Sequence, residues 1–164
     1  MRRTSALAGS IVFLVIAPGT LAGLVPWSLT GWRIGRNLLA LRIAGGLLIV
    51  GGLLLLLECF GRFALEGHGT PAPVAPAERL VMSGPYRRVR NPMYAAVTAM
   101  ILGQSALFAA PLVALYGAAV WLGFHAFVLA YEEPRLRAEF PAEYPLFAAA
   151  VPRWIPRLTR WRGY

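Results

Sequence analysis

From Asn91 to Tyr131 the chain runs for 41 residues without a formal charge, and Pro111 falls near the middle of that run. A helix needs about 20 predominantly apolar residues to cross the hydrocarbon of a bilayer. The run is long enough for two crossings, over Met93–Ala109 and Leu112–Tyr131, joined by a tight turn at Pro111 into a helical hairpin. The turn has almost no polar residue, which places it at or within the headgroup layer.

Two more apolar stretches precede the hairpin. Thr4 to Trp32 is uncharged, and a first span is expected over Ala6–Val25, with Pro18 and Gly19 as a candidate kink. Gly19 and Gly23 there offer a small-xxx-small face to a neighbouring helix. The opening "MRRT" ahead of an apolar core also has the shape of a cleaved signal peptide, although apolarity continues well beyond a usual signal core. The second span, Leu38–Cys59, has Arg42 near one end and Glu58 near the other, where long side chains reach the headgroups as anchors. With 58% hydrophobic residues and a mean hydropathy of +0.60, the chain reads as an all-α integral membrane protein of about four transmembrane helices. Residues 1–164 form one unit: two spans over 1–60, a connector and motif over 61–90, the hairpin over 91–131 and an amphipathic tail over 132–164.

All 16 basic residues are arginine and all seven acidic ones glutamate, for a net charge of +9. In a soluble protein that excess would suggest nucleic acid. Here the charges border apolar spans, so membrane lipids with anionic headgroups are the expected partner and nucleic acid is not. Four spans put both termini and the Arg62–Arg90 loop on one side, which gathers 13 arginines against Arg33, Arg36 and Arg42 at the other. The positive-inside rule makes the crowded side cytoplasmic. The absence of lysine fits a GC-rich genome and hence a bacterial inner membrane. The loop segment "LEGHGTPAPVAPAERLV" is Pro-rich and should be extended. The tail sets Trp154, Ile155 and Trp161 among arginines, as suits a segment lying on the interface.

Soluble-enzyme signatures such as GxGxxG, the P-loop, HExxH and GxSxG are missing. His68 and His125 stand far apart, no carboxylate pair has metal spacing and aspartate is absent, so no metal site is expected. The single cysteine, Cys59, rules out an internal disulfide or a cysteine zinc cluster and reads as packing. What remains is a polar cluster at the two ends of the hairpin, "GPYRRVRNPMY" on the way in and "YEEPRLRAEF" on the way out. The hairpin should bring Asn91 and Tyr94 near Glu132 and Glu133. Pro85 and Pro92 fix the backbone there, and Asn91 before proline favours an extended or turn conformation. Main-chain polar groups are thereby left available at a membrane-level cleft, a cradle for a polar ligand. His125 and Glu132, seven residues apart, are expected on one helix face, which makes His125 a candidate base or polar guide. Each residue also has a plainer role: arginines as anchors, tyrosines in the aromatic belt, glutamates paired with arginine, His125 bonded across helices.

The segment "LVMSGPYRRVRNPMY", followed by a hairpin and "YEEPRLRAEFPAEYPLFAAAVPRWIPR", resembles the isoprenylcysteine carboxyl methyltransferase and related phospholipid methyltransferase families over about Arg79–Arg157. The resemblance implies a membrane enzyme that uses S-adenosyl-L-methionine, with Leu80 and Val81 contacting the cofactor through backbone. It further implies that Tyr86, Asn91, Pro92, Met93 and Tyr94 line the adenosine and methionine parts and that Glu132 binds a polar group. Asn91 stands where eukaryotic members often have histidine. Val128 stands where enzymes acting on prenylcysteine have an arginine for the substrate carboxylate, Pro141 replaces a glycine and Phe147 a tyrosine. The implied acceptor is lipid-like or a small apolar nucleophile; an isoprenylcysteine-type carboxylate stays among the readings, with Val128 counting against it. A membrane reductase using NADPH, suggested by sterol reductases with a similar membrane core, and a non-catalytic membrane scaffold are the other readings.

Overall fold

The computed structural model describes residues 12–36, 38–66 and 79–162. Most of the Pro-rich connector, His68, and the start of the expected first span with its signal-like opening lie outside them. Four long helices, α1 (Val12–Thr30), α2 (Leu39–Leu65), α3 (Pro92–Phe108) and α4 (Pro111–Glu139), and a short α5 (Glu143–Ala150) make up the fold. Among the described residues there is no β-strand. Helices α1, α2 and α4 are each long and apolar enough to cross a membrane. α3 has 17 residues, about 26 Å at 1.5 Å per residue, at the short limit for a span. The chain is an all-α integral membrane protein.

Apolar residues cover every side of these helices, so leucines such as Leu47, Leu54, Leu115 and Leu122 face outward as lipid-facing residues must. What distinguishes inside from outside is residue size. A Cβ on Gly45 would stand 2.6 Å from the Gly103 carbonyl oxygen, and one on Gly52 2.8 Å from that of Ala96, so α2 and α3 meet backbone to backbone. Gly19 and Gly23, expected to serve this purpose on α1, do not: Gly23 has nothing within 4 Å and Gly19 meets only its own helix. Gly52→Ala is expected to destabilise the fold by about 1–3 kcal/mol through overpacking, and Gly23→Ala not at all, as read by thermal denaturation in detergent.

The prolines of α1 shape it differently from the simple kink expected near Pro18. A π turn spans Thr20–Leu24, and the Val25 N–H reaches back to the Thr20 carbonyl. Pro26 follows with no N–H to give. The carbonyls of Leu21 and Ala22 thus lose their partners within the helix, and other helices supply them. The Tyr116 hydroxyl donates to Leu21 O (3.0 Å) and Gln104 Nε2 to Ala22 O (2.6 Å), while Trp32 Nε1 donates to Gln104 Oε1 (3.2 Å). Backbone groups in hydrocarbon must be satisfied internally, so these side chains bind α1 to the hairpin. Gln104→Leu is expected to cost about 1 kcal/mol in the same melting experiment. The helix also runs on to Thr30, beyond the expected Val25, because both prolines are absorbed by this arrangement.

The hairpin turn is two residues long, with Ala109 left-handed at φ 56°. Ser105 Oγ donates to Ala110 O (2.9 Å) and the Gly35 N–H to Phe108 O (3.1 Å), which satisfies an otherwise apolar turn. Arg42 reaches the Gly35 carbonyl (2.9 Å) at this arginine-poor end, in the anchoring position expected of it.

Candidate functional site

At the opposite, arginine-rich end, α2 closes with an ion-pair cluster. Arg62 pairs with Glu58 (3.0 Å) and Glu66 (3.0 Å) and donates to Ser83 Oγ (2.9 Å), while the Ser83 hydroxyl donates to Glu66. Its guanidinium lies across Gly84, whose φ of 53° and absent Cβ make room for it. This clamp fixes the single turn Gly84–Arg87, which turns Tyr86 inward against Phe63 (ring centroids 5.8 Å) and Cys59. Burial pushes the Tyr86 phenol well above its ordinary range, so it is a neutral wall.

The next residues are stitched to the C-terminal segment. Arg90 N–H donates to Pro152 O (2.9 Å), Arg157 N–H to Arg88 O (3.0 Å) and Trp161 N–H to Arg87 O (2.9 Å). Asn91 Nδ2 donates to the Arg153 carbonyl (3.2 Å). Residues 152–161 therefore form a strap along the arginine motif. Arg87 and Arg88 point outward, in keeping with anchoring, whereas Arg90 turns in.

Arg90 meets Glu133, the centre of a buried cluster. Arg90 Nη1 donates to Glu133 Oε1 (3.0 Å) and to the Tyr144 hydroxyl (3.3 Å); Arg153 grips both carboxylate oxygens (2.6 and 3.0 Å). The Glu133 side chain is only 8% exposed and that of Arg90 11%. Donating these hydrogen bonds to Glu133 holds the Arg153 guanidinium more firmly protonated than usual. Glu132, its neighbour, is treated differently. Among the described residues its only hydrogen-bond partner is the Tyr94 hydroxyl (2.7 Å), and no arginine pairs with it. In a chain with 16 arginines, a sheltered acid without a cation is the exception.

A cavity of about 520 Å³ opens between these groups and the interior of the bundle. Leu80, Val81, Tyr86, Asn91, Pro92, Met93, Tyr94 and Glu132 all line it. Its apolar side is walled by Phe13, Ala17, Pro18 and Leu21 of α1 with Val97 and Phe124 of the hairpin. Val128, 1% exposed, lies in this wall too. The volume suits a small-molecule site, and the mixture of apolar walls with few polar groups is the usual make-up of one.

His125 is not in that wall. The Trp154 Nε1–H donates to its Nδ1 (2.9 Å) and Trp121 stacks on its ring (centroids 5.3 Å). The reason it parts from Glu132 is a second π turn, Val128–Glu132, which separates them. One extra residue in a turn shifts all that follows by about 100° around the axis, so a spacing of seven no longer means a shared face. This turn, too, ends shortly before a proline, Pro134, and α4 continues through Glu139 instead of stopping near Tyr131 as expected. The expected pairing of a glutamate with arginine holds for Glu133, but sequence reasoning missed the α1 wall and the part of Arg153 in that cluster. Adjacent acids in "YEEP" hinted at a cluster, but nothing in the sequence ties Arg153 to it.

The bundle thus holds a cavity that joins a charged rim to an apolar interior. Comparison with known families matches residues 40–143 to phospholipid methyltransferases, and the chain belongs to the phospholipid methyltransferase family. No match was found among curated proteins.

Proposed function

We propose that this membrane methyltransferase uses S-adenosyl-L-methionine and acts on a lipid-like or small apolar acceptor at the cytoplasmic face of a bacterial inner membrane. The observation that carries the reading is the convergence of eight residues, separated by up to 52 positions between Leu80 and Glu132, on one cavity. The donor set fits the cofactor. Glu132, half-buried and without a basic partner among the described residues, suits an ammonium group, and the Tyr94 hydroxyl holds that carboxylate in place. Tyr86, Met93 and the backbone of Leu80 and Val81 offer flat apolar surfaces and main-chain polar groups for the adenosine.

When bound, the cofactor supplies a methyl group on a sulfonium, transferred in line to a nucleophile. The protein's part is alignment: holding two reactants in a near-attack geometry is worth about 7–11 kcal/mol of barrier, so no acid–base pair is required. Phe13, Ala17, Pro18 and Leu21 would bound the acceptor from the membrane side. Val128 supplies no cation for a carboxylate, which favours an uncharged or amine-type nucleophile over a prenylcysteine carboxylate. Thirteen arginines at the motif's side support its cytoplasmic placement, with both termini there. The test is calorimetry on detergent-purified protein with S-adenosylmethionine, then NADPH. Binding of the first supports the reading; binding of NADPH alone would replace it with a reductase.

A further inference from the structure

His125 lies outside the cavity, yet it is the membrane-side anchor of the strap that backs the cavity. Trp154 is an N–H donor only, so its bond to His125 Nδ1 requires a ring whose Nδ1 is an acceptor. Trp121 stacks on one face of that ring (centroids 5.3 Å), and Trp154 meets it tilted at the Nδ1 edge (5.8 Å). One residue before Trp154, Arg153 grips Glu133 through its guanidinium and accepts from Asn91 through its carbonyl. One residue earlier still, Pro152 accepts from the Arg90 N–H. Three consecutive residues thus connect His125 on α4 to Asn91, Arg90 and Glu133, all of which line the cavity.

We infer that His125 is a positioning residue: by accepting from Trp154 it seats the 152–154 strap, and the strap sets Asn91, Arg90 and Glu133 for the ligand. Ile155, 80% exposed, marks where the strap leaves this seat. The hydrogen-bonded part of the inference stands on geometry alone; the effect on ligand binding rests on the function proposed above.

Three variants separate the possibilities. His125→Leu removes the acceptor and Trp154→Phe removes the donor while keeping a ring. His125→Asn places an amide oxygen close to where Nδ1 stood. Hydrogen–deuterium exchange at the Arg157 and Trp161 amides, on full-length protein in detergent, reads the seating of the strap without reference to any ligand. His125→Leu and Trp154→Phe should speed exchange about three- to tenfold, the loss of one hydrogen bond, with His125→Asn near wild type. The same two should weaken S-adenosylmethionine binding by a comparable factor, again rescued in His125→Asn. Unchanged exchange in all variants, or an asparagine variant as loose as the leucine one, overturns the assignment. Faster exchange with unaltered binding overturns the link from strap to cavity. A wild type that binds no S-adenosylmethionine refutes the cofactor reading and the link built on it, leaving the exchange result to decide the strap alone.

Discussion

Glu133→Gln is expected to be the most destabilising single change at the arginine-rich end, by about 3 kcal/mol. The carboxylate is met by Arg90 at 3.0 Å and by Arg153 at 2.6 Å, and replacing it with an amide leaves both cations without a counter-charge. Arg153, 30% exposed, can turn toward water; Arg90, at 11%, cannot, and its Nε is already buried without a partner. The loss should fall mostly on Arg90 and on the Tyr144 hydroxyl it holds. Glu139→Gln is the control: it breaks the more exposed Arg135–Glu139 pair (3.6 Å) and should cost under about 1 kcal/mol. Thermal denaturation in one detergent measures both, and equal melting temperatures for the two variants would refute a buried cluster.

Glu132→Gln should behave in the opposite manner. Its carboxylate carries no counter-charge among the described residues, so neutralising it removes a desolvation cost without breaking an ion pair. The melting temperature without ligand should hold or rise. Affinity for S-adenosylmethionine should fall about ten- to a hundredfold, the range for one hydrogen bond to a charged group. Tyr94→Phe should weaken binding less and lower stability, because it strips the acid of its one donor. Wild-type affinity in Glu132→Gln would remove this residue from the site. Adjacent glutamates with opposite signatures, one structural and one for binding, are a stronger test than either variant alone.

Much of this was legible in the sequence because membrane spans obey length and charge rules that need no tertiary knowledge. The 41-residue uncharged run gives the hairpin, with α3 and α4 starting within one residue of the expected positions. Asn91 and Tyr94 were also expected near Glu132 and Glu133, since the ends of a hairpin must meet. The π turns were not legible. Each is a response to proline, but Pro92 and Pro111 begin helices without one, so the residue type does not announce it. The misplacement of His125 follows directly, because periodicity counts residues and a π turn changes the count. The glycine contact was assigned to the wrong helix for a related reason. Spacing marks a small face on α1 and α2 alike, and which one meets a partner depends on the packing of the bundle. Arg153 joins Glu133 across 20 residues and an intervening helix, a distance over which local patterns carry no information.

The cavity draws on parts of the chain that the family match does not reach. Residues 40–143 hold α2, α3, most of the motif and Glu132, yet Phe13 to Leu21 lie upstream of that segment and Tyr144 and Phe147 downstream. Two proteins could agree throughout the matched region and still present different pockets, since a change of first helix alone re-lines the wall formed by Phe13 to Leu21. On the function proposed above, that wall is the one that would meet the acceptor, while Tyr94 and Glu132 on the matched segment would meet the methyl donor. Exchanging α1 between family members is then a route to new acceptors, one that leaves Tyr94 and Glu132 where they are.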